Sequence, residues 1–334
     1  MLAQNNHMKK GFFFTLLLFS FIYSSSSAQK NSTPQTLNQL KSIQDSLSLN
    51  GGRLKVYNIF KAQILGLYTP NKNQQTQAKE FYRKSFLPYQ KLWNDYVGDS
   101  ASYMQYVYSK LLKDSAGIYM QRGIVLANQQ IDQYIKQTTA ALGKLSKHEA
   151  RGVWYIAFGT GVTDLGGLGE GRMVVDLNHP KSSPDYIRFI LPHEINHQIF
   201  DFTSKPDTSA RGLYRCINEG FAVYMHQQIT QNQIPLENYF QYTKDELRFC
   251  EQNEQLIFTK LTPYLLTSNP DHALALADRG QRIFKNGPGA IGYYIGYRIC
   301  TDYIAQNGPD SWKDLYTLSV REIFEKTKFV QPKT

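Results

Sequence analysis

Cysteine is scarce in this sequence. Cys216, Cys250 and Cys300 are the only three in 334 residues, and no pair stands in C-x-x-C spacing. That pattern excludes thiolate metal sites and thioredoxin-type exchange, leaving buried structural thiols or a single bridge with one thiol over. Clustered charge is also missing. Lys and Arg outnumber Asp and Glu by 37 to 27, with a pI near 9.2, yet the basic residues are scattered. No run of five or six forms the footprint that phosphate binding requires, so nucleic acid is not an expected partner. Internal repeats and low-complexity tracts are absent, and the longest apolar stretch, Phe12 to Tyr23, is too short to cross a hydrocarbon core of about 30 Å as a helix. What is present, 42% hydrophobic and 19% charged residues, is an ordinary globular composition with enough apolar mass for a sizeable core.

The N-terminus carries an export pattern. Met8-Lys9-Lys10 forms a basic segment, Phe12 to Tyr23 an apolar one, and Ser26-Ser27-Ala28 a small-residue cleavage site. The expected mature chain is 29 to 334, periplasmic or secreted. No cysteine follows the cleavage site, so neither a lipid nor a spanning helix is expected as a permanent membrane anchor. Loss of Lys9 and Lys10 from the 37 basic residues leaves a net charge of +8, which suits solubility or attraction to anionic envelope polymers.

Residues 29 to 150 read as a mainly helical region. Phe81, Phe86, Leu87, Tyr89, Leu92 and Trp93 approximate a helical period within residues 74 to 97, which Pro88 must kink or break, and residues 118 to 142 form a second amphipathic segment. Three to five helices are expected there. The character changes at Val153 to Phe158, a β-prone run followed by a glycine-rich stretch from Gly159 to Gly171 and a second run, Met173 to Leu177. These glycines do not fit G-x-G-x-x-G and no amphipathic helix follows, so a loop between two strands is favoured over a phosphate loop. Helix resumes at Ser183, a candidate N-cap, with Pro184 at the first position and Asp185 in the first turn; Pro192 is expected to kink that helix before His193.

That helix contains Leu191-Pro192-His193-Glu194-Ile195-Asn196-His197. Histidines at i and i+4 share one helical face, so their imidazoles can converge on one ion, and borderline-soft nitrogen ligands suit Zn2+. Glu194 is spaced to reach a metal-bound water as general base. A third protein ligand is needed, and Asn218-Glu219-Gly220-Phe221-Ala222 supplies Glu219 from a second helix. Asp201, four residues past His197, is a candidate partner for a ligand histidine. Gly289 to Arg298 offers tyrosine donors for an oxyanion, Tyr293 first, then Tyr294, with Tyr264 and His226 behind them. His148, His179 and His272 have no partner spacing.

The paired motifs resemble those of the gluzincins, zinc metallopeptidases with a glutamate third ligand. That resemblance implies zinc on His193, His197 and Glu219, Glu194 as general base, a peptide or protein substrate, and an edge strand at Met173 to Leu177 that pairs with it. It departs from the aminopeptidase pattern at Gly169-Glu170-Gly171-Arg172-Met173, and from the thermolysin-like pattern at Val223, which stands where a carboxylate is usual. The expected fold is α+β: a helical region over residues 29 to 150, then a zincin-like domain from 151 to 334 with a small sheet and a helical C-terminal lobe. The expected function is an exported zinc peptidase. The alternative is a non-catalytic envelope protein that keeps a zincin fold as a scaffold or binding module.

Overall fold

Five strands form one mixed sheet in a computed structural model of the chain, which describes residues 38–67, 73–112 and 118–329. The strands are β1 (Ser46–Leu49), β2 (Leu54–Asn58), β3 (Gly152–Ala157), β4 (Leu165–Gly167) and β5 (Arg172–Asp176), in the order β1-β2-β3-β5-β4. β1 and β2 are an antiparallel hairpin, β2 to β3 and β3 to β5 are parallel, and β4 returns antiparallel along β5. The proposed signal segment lies outside the described residues.

The described residues before 150 are mainly helical, as expected, and they also contribute β1 and β2; β2 pairs with β3, so the sheet draws on both parts of the chain. The physical reason is burial with a period of two: Leu54 and Val56 are fully buried on one side of β2 while Lys55 is exposed. One expectation about the sheet is corrected, the edge: Arg172–Asp176 is an interior strand, and the edges are β1 and β4, the latter arising inside the glycine-rich stretch.

Six helices matter for the site: α1 (Ile59–Leu67), α2 (Ile131–Ser146), α3 (Pro184–Thr203), α4 (Arg211–Ile229), α5 (Pro270–Ala277) and α6 (Gly292–Asn307). Helix also forms over Gln74–Ser85 and Gln90–Tyr96, separated by a 3-10 turn at Leu87–Tyr89, so the chain does break at Pro88. The segment expected as one helix from 118 to 142 is two, Ile118–Gln129 and Ile131–Ser146, because Gln130 takes a left-handed conformation at φ 50°. With short helical turns at Ser100–Tyr103 and Ser109–Leu112, the helices before residue 150 exceed three to five.

α3 begins as its sequence dictates. Ser183 accepts a hydrogen bond from the Tyr186 amide, Pro184 occupies the first turn, and Asp185 lies at its positive end. The helix then runs through Pro192 to Thr203 as one element, so Pro192 does not end it. Packing holds it there: Ile187, Leu191, Ile195 and Ile199 are fully buried, and α3 lies against α2, α4 and the sheet. Gln198 ties it to the sheet, accepting from Trp154 Nε1 of β3 at 3.0 Å and donating to the Gly171 carbonyl just before β5 at 2.6 Å.

α4 and α6 cross at backbone contact. A Cβ on Gly220 would lie 1.9 Å from the Tyr297 amide nitrogen, and one on Gly296 would lie 1.6 Å from the Cys216 carbonyl oxygen. Only glycine allows that approach. The three cysteines are free and buried, Cys216 and Cys300 near this crossing, and burial raises each thiol above its ordinary pKa, Cys250 to about 12.

Candidate metal centre

His193 and His197 project from one face of α3, one turn apart, and α4 crosses so that Glu219 meets both. The two Nε2 atoms are 3.0 Å apart, and Glu219 Oε2 is 3.3 Å from that of His193 and 3.1 Å from that of His197. Bond lengths of about 2.0–2.2 Å in a tetrahedral zinc site separate neighbouring ligand atoms by about 3.3–3.5 Å. These three donors, two neutral-capable imidazoles and a carboxylate, therefore fit a His₂Glu centre in both type and spacing. The ligand histidines and Glu219 named from sequence are brought together.

The support around them is uneven. His197 Nδ1 lies 2.8 Å from Asn218 Oδ1, and Asn218 Nδ2 donates in turn to Asp201 at 3.3 Å. Tyr214 also donates to Asp201. Asp201 thus reaches His197 through Asn218 rather than directly, and Asn218 is a positioning residue that sequence reasoning quoted without assigning it a role. His193 Nδ1, in contrast, is buried without a partner among the described residues.

Charge in the metal-free centre is strongly redistributed. Burial lowers the pKa of His193 to about 4. Burial opposes a charge on His197 too, but the facing carboxylates of Glu219 and Glu194 overcome it and raise His197 to about 10. Glu219 is likewise opposed by burial, yet the charge of His197 and hydrogen bonds from both imidazoles hold it well below the usual carboxylate range. Glu194, without such a direct partner, is pushed up by burial to about 8. These shifts favour the charged imidazole on His197 and the neutral carboxyl on Glu194.

Tyr293 stands beside the centre. Its ring stacks parallel to His193 with centroids 5.8 Å apart, its hydroxyl interacts with Glu219, and burial holds its pKa well above the usual value. The Arg279 guanidinium lies over the Tyr293 ring, 4.7 Å from its centroid, a contact with no sequence signal. The remaining candidates are elsewhere. Tyr294 donates to Glu254, Tyr264 packs on His272, and His148 packs on Tyr316. His226 is fully buried between Phe189 and Tyr239, and burial lowers its pKa to about 3.

Two cavities open on the centre, and Glu194 lines both. The larger, about 450 Å³, includes His197, Asn218 and Glu219 and runs along the first turns of α4. The smaller, about 250 Å³, includes His193, Tyr293, Arg279 and His179. β4 borders both, through Gly167 and Leu165 respectively. Among the described residues no helix is long and apolar enough to cross a membrane.

No curated protein and no solved structure matches the chain. A family model does: residues 181–331 match the one described as gliding motility protein GldB, a lipoprotein family. The matched segment contains His193 to His197 and Asn218 to Ala222, the very residues that carry the likeness to gluzincins. That likeness is corrected accordingly, and with it the reading of the chain as a zinc peptidase that hydrolyses peptide bonds: the family these residues match is not a metallopeptidase family. Over somewhat less than half its length, the part that carries His193, His197 and Glu219 and the helical lobe, this chain is similar to a gliding motility protein of the cell envelope.

Proposed function

We propose that the protein is a non-catalytic component of the bacterial cell envelope, exported to the periplasm, that serves gliding motility as a binding module on a zincin-like scaffold. The observation that carries this reading is the match of residues 181–331 to the gliding motility protein GldB family, because it spans α3, α4, α5 and α6 together. Zn2+ is the ion we assign to the centre, held by His193, His197 and Glu219, whose spacing and donor types support it. Bound there, it supplies a fixed positive charge at the floor of the larger cavity. His197 is oriented by Asn218, and Tyr293 and Arg279 close the opposite side by stacking on His193 and on each other. The chain's own contribution is then to hold the ion rigidly between two helices and to present it to a ligand.

A binding role and a hydrolytic one differ in what they ask of Glu194. A strain lacking the protein is expected to lose colony spreading, and the wild-type chain to restore it. Glu194→Gln, which keeps the shape of the side chain and all three metal donors, is expected to restore spreading as well, whereas His193→Ala with His197→Ala is expected to fail. Loss of spreading with Glu194→Gln in a protein that retains its zinc would overturn the proposal.

A further inference from the structure

The larger cavity carries more charge than a metal centre alone. Arg211 and Arg215 line it, both exposed, and they precede Glu219 on α4 by eight and four residues. Residues four apart lie on one helical face and about 6 Å apart along the axis, so Glu219, Arg215 and Arg211 stand in a row about 12 Å long on α4. Neither guanidinium has an ion-pair partner among the described residues, whereas Arg172, Arg282, Arg298 and Arg321 all have one. Four carboxylates line the same cavity: Glu219 among the metal donors, Glu194 beside it, Asp207 and Asp201. Asp207 pairs with Arg321 at 2.8 Å and accepts from Ser209, and Asp201 accepts from Tyr214 and Asn218. Two imidazoles and one carboxylate leave a bound Zn2+ with one uncompensated positive charge. The row therefore presents three positive positions along one helix, in a cavity where Asp207 is paired with Arg321 and Asp201 has hydrogen bonds only from neutral side chains.

We propose that this cavity binds an acidic peptide segment, one carboxylate on the metal and a second on the Arg211 and Arg215 pair. The spacing selects the pattern. Side chains two residues apart in an extended peptide point the same way and stand about 6.6 Å apart. One helical turn between Glu219 and Arg215 is about 6 Å. A Glu-x-Glu segment thus matches the row, and a cavity of about 450 Å³ has the size of a short-ligand site. Guanidinium groups favour this partner further because they engage carboxylates in a bidentate fork.

The inference rests on the zinc-bearing binding module proposed above, and one set of samples separates the two. Full-length mature protein is titrated with acetyl-Glu-Ala-Glu-amide and with acetyl-Gln-Ala-Gln-amide by calorimetry, and its zinc content is measured by mass spectrometry. The acidic peptide is expected to bind zinc-loaded protein at least tenfold more tightly than the amide peptide, and more weakly as salt rises from 50 to 500 mM. Arg211→Gln with Arg215→Gln is expected to remove at least a tenfold share of that preference with zinc content unchanged, and Arg211→Lys with Arg215→Lys to keep part of it. Protein that takes up no zinc would overturn the zinc-bearing module itself. Zinc-loaded protein that binds the two peptides equally, or whose preference survives the Gln pair, would overturn the assignment of the cavity to acidic peptide.

Discussion

At the scale of single residues the centre depends on a few atoms that touch no ligand. Asn218 is the clearest. Its Oδ1 takes the Nδ1 proton of His197, fixing which nitrogen faces the ion, and its Nδ2 is steadied by Asp201. Asn218→Ala removes both contacts and leaves the three donors in place, so zinc affinity is expected to fall by about 10- to 100-fold, measured by competition with a chromogenic chelator. Protonation gives a second expectation, for the metal-free protein. Glu194 and His197 both have folded pKa values above their unfolded ones, about 8 against 4.5 and about 10 against 6.5. Each contributes stability that is present below its unfolded pKa and is lost as the pH rises through its folded one. His193, lowered from 6.5 to about 4, works the other way and loses its contribution as the pH falls through 4, as does Glu219 below its ordinary range. The Tm of metal-free protein is therefore expected to decline from pH 7 to pH 10, in two overlapping steps. Zinc displaces the His197 proton, so metal binding should release protons and tighten as the pH rises, and a Tm independent of pH would refute the assigned charges.

At the scale of elements, what could be read from the sequence was local, and what could not was set by partners. The i, i+4 pairing of His193 and His197, the Ser183 cap and the break at Pro88 each follow from chemistry within a few residues, and each is present. The β1–β2 hairpin was obscured because its strands are four and five residues long, and their alternation of Leu47 and Leu49 with Ser46 and Ser48 is too brief to separate from helix. Gln130 carries no sign that it will turn left-handed, and β4 holds only Leu165, Gly166 and Gly167, so its edge position comes from β5 alone. Pro192 illustrates the opposite case: its local cost is real, but the buried faces of α3 outweigh it. The arrival of Glu219 at the histidines is tertiary as well, since it depends on how α4 seats against α3 and α6. Gly296 is the test of that seating. Its Cβ position is 1.6 Å from the Cys216 carbonyl, a backbone atom that cannot swing aside. Gly296→Ala is expected to cost at least about 3 kcal/mol in urea unfolding, above the usual range for inserting one methyl into a core, and to reduce zinc occupancy in whatever fraction folds.

At the scale of the whole molecule, the sheet decides what can fold alone. The matched segment starts at residue 181, and α3, α4, α5 and α6 all lie within it, so it has the look of a self-sufficient unit. Its helix α3, however, is tied through Gln198 to Trp154 of β3 and to Gly171 just before β5, both of which precede it, and β3 is paired on its other side with β2 from the first sixty residues. α1 packs on β3 and α2 packs on α3, so helices from the earlier part also cover surfaces that the later part must bury. Removing residues 1 to 150 would expose the β3 edge, whose amide and carbonyl groups now pair with Leu54 to Asn58. It would also strip α2 from α3, a helix whose Ile187 and Leu191 are fully buried. Hydrophobic burial at about 25 cal/mol per Å² is the main favourable contribution to a margin of only about 5–15 kcal/mol, so losses on this scale are decisive. The fragment 151–334 produced alone is expected to lack a cooperative unfolding transition, to bind a hydrophobic dye, and to take up little zinc. Adding residues 29 to 150 back on a separate chain should restore near-ultraviolet dichroism only where β2 can reach β3. A fragment that unfolds cooperatively and loads one equivalent of zinc would instead establish the metal centre and its helices as an independent domain, with the hairpin and the earlier helices as an appendage to it.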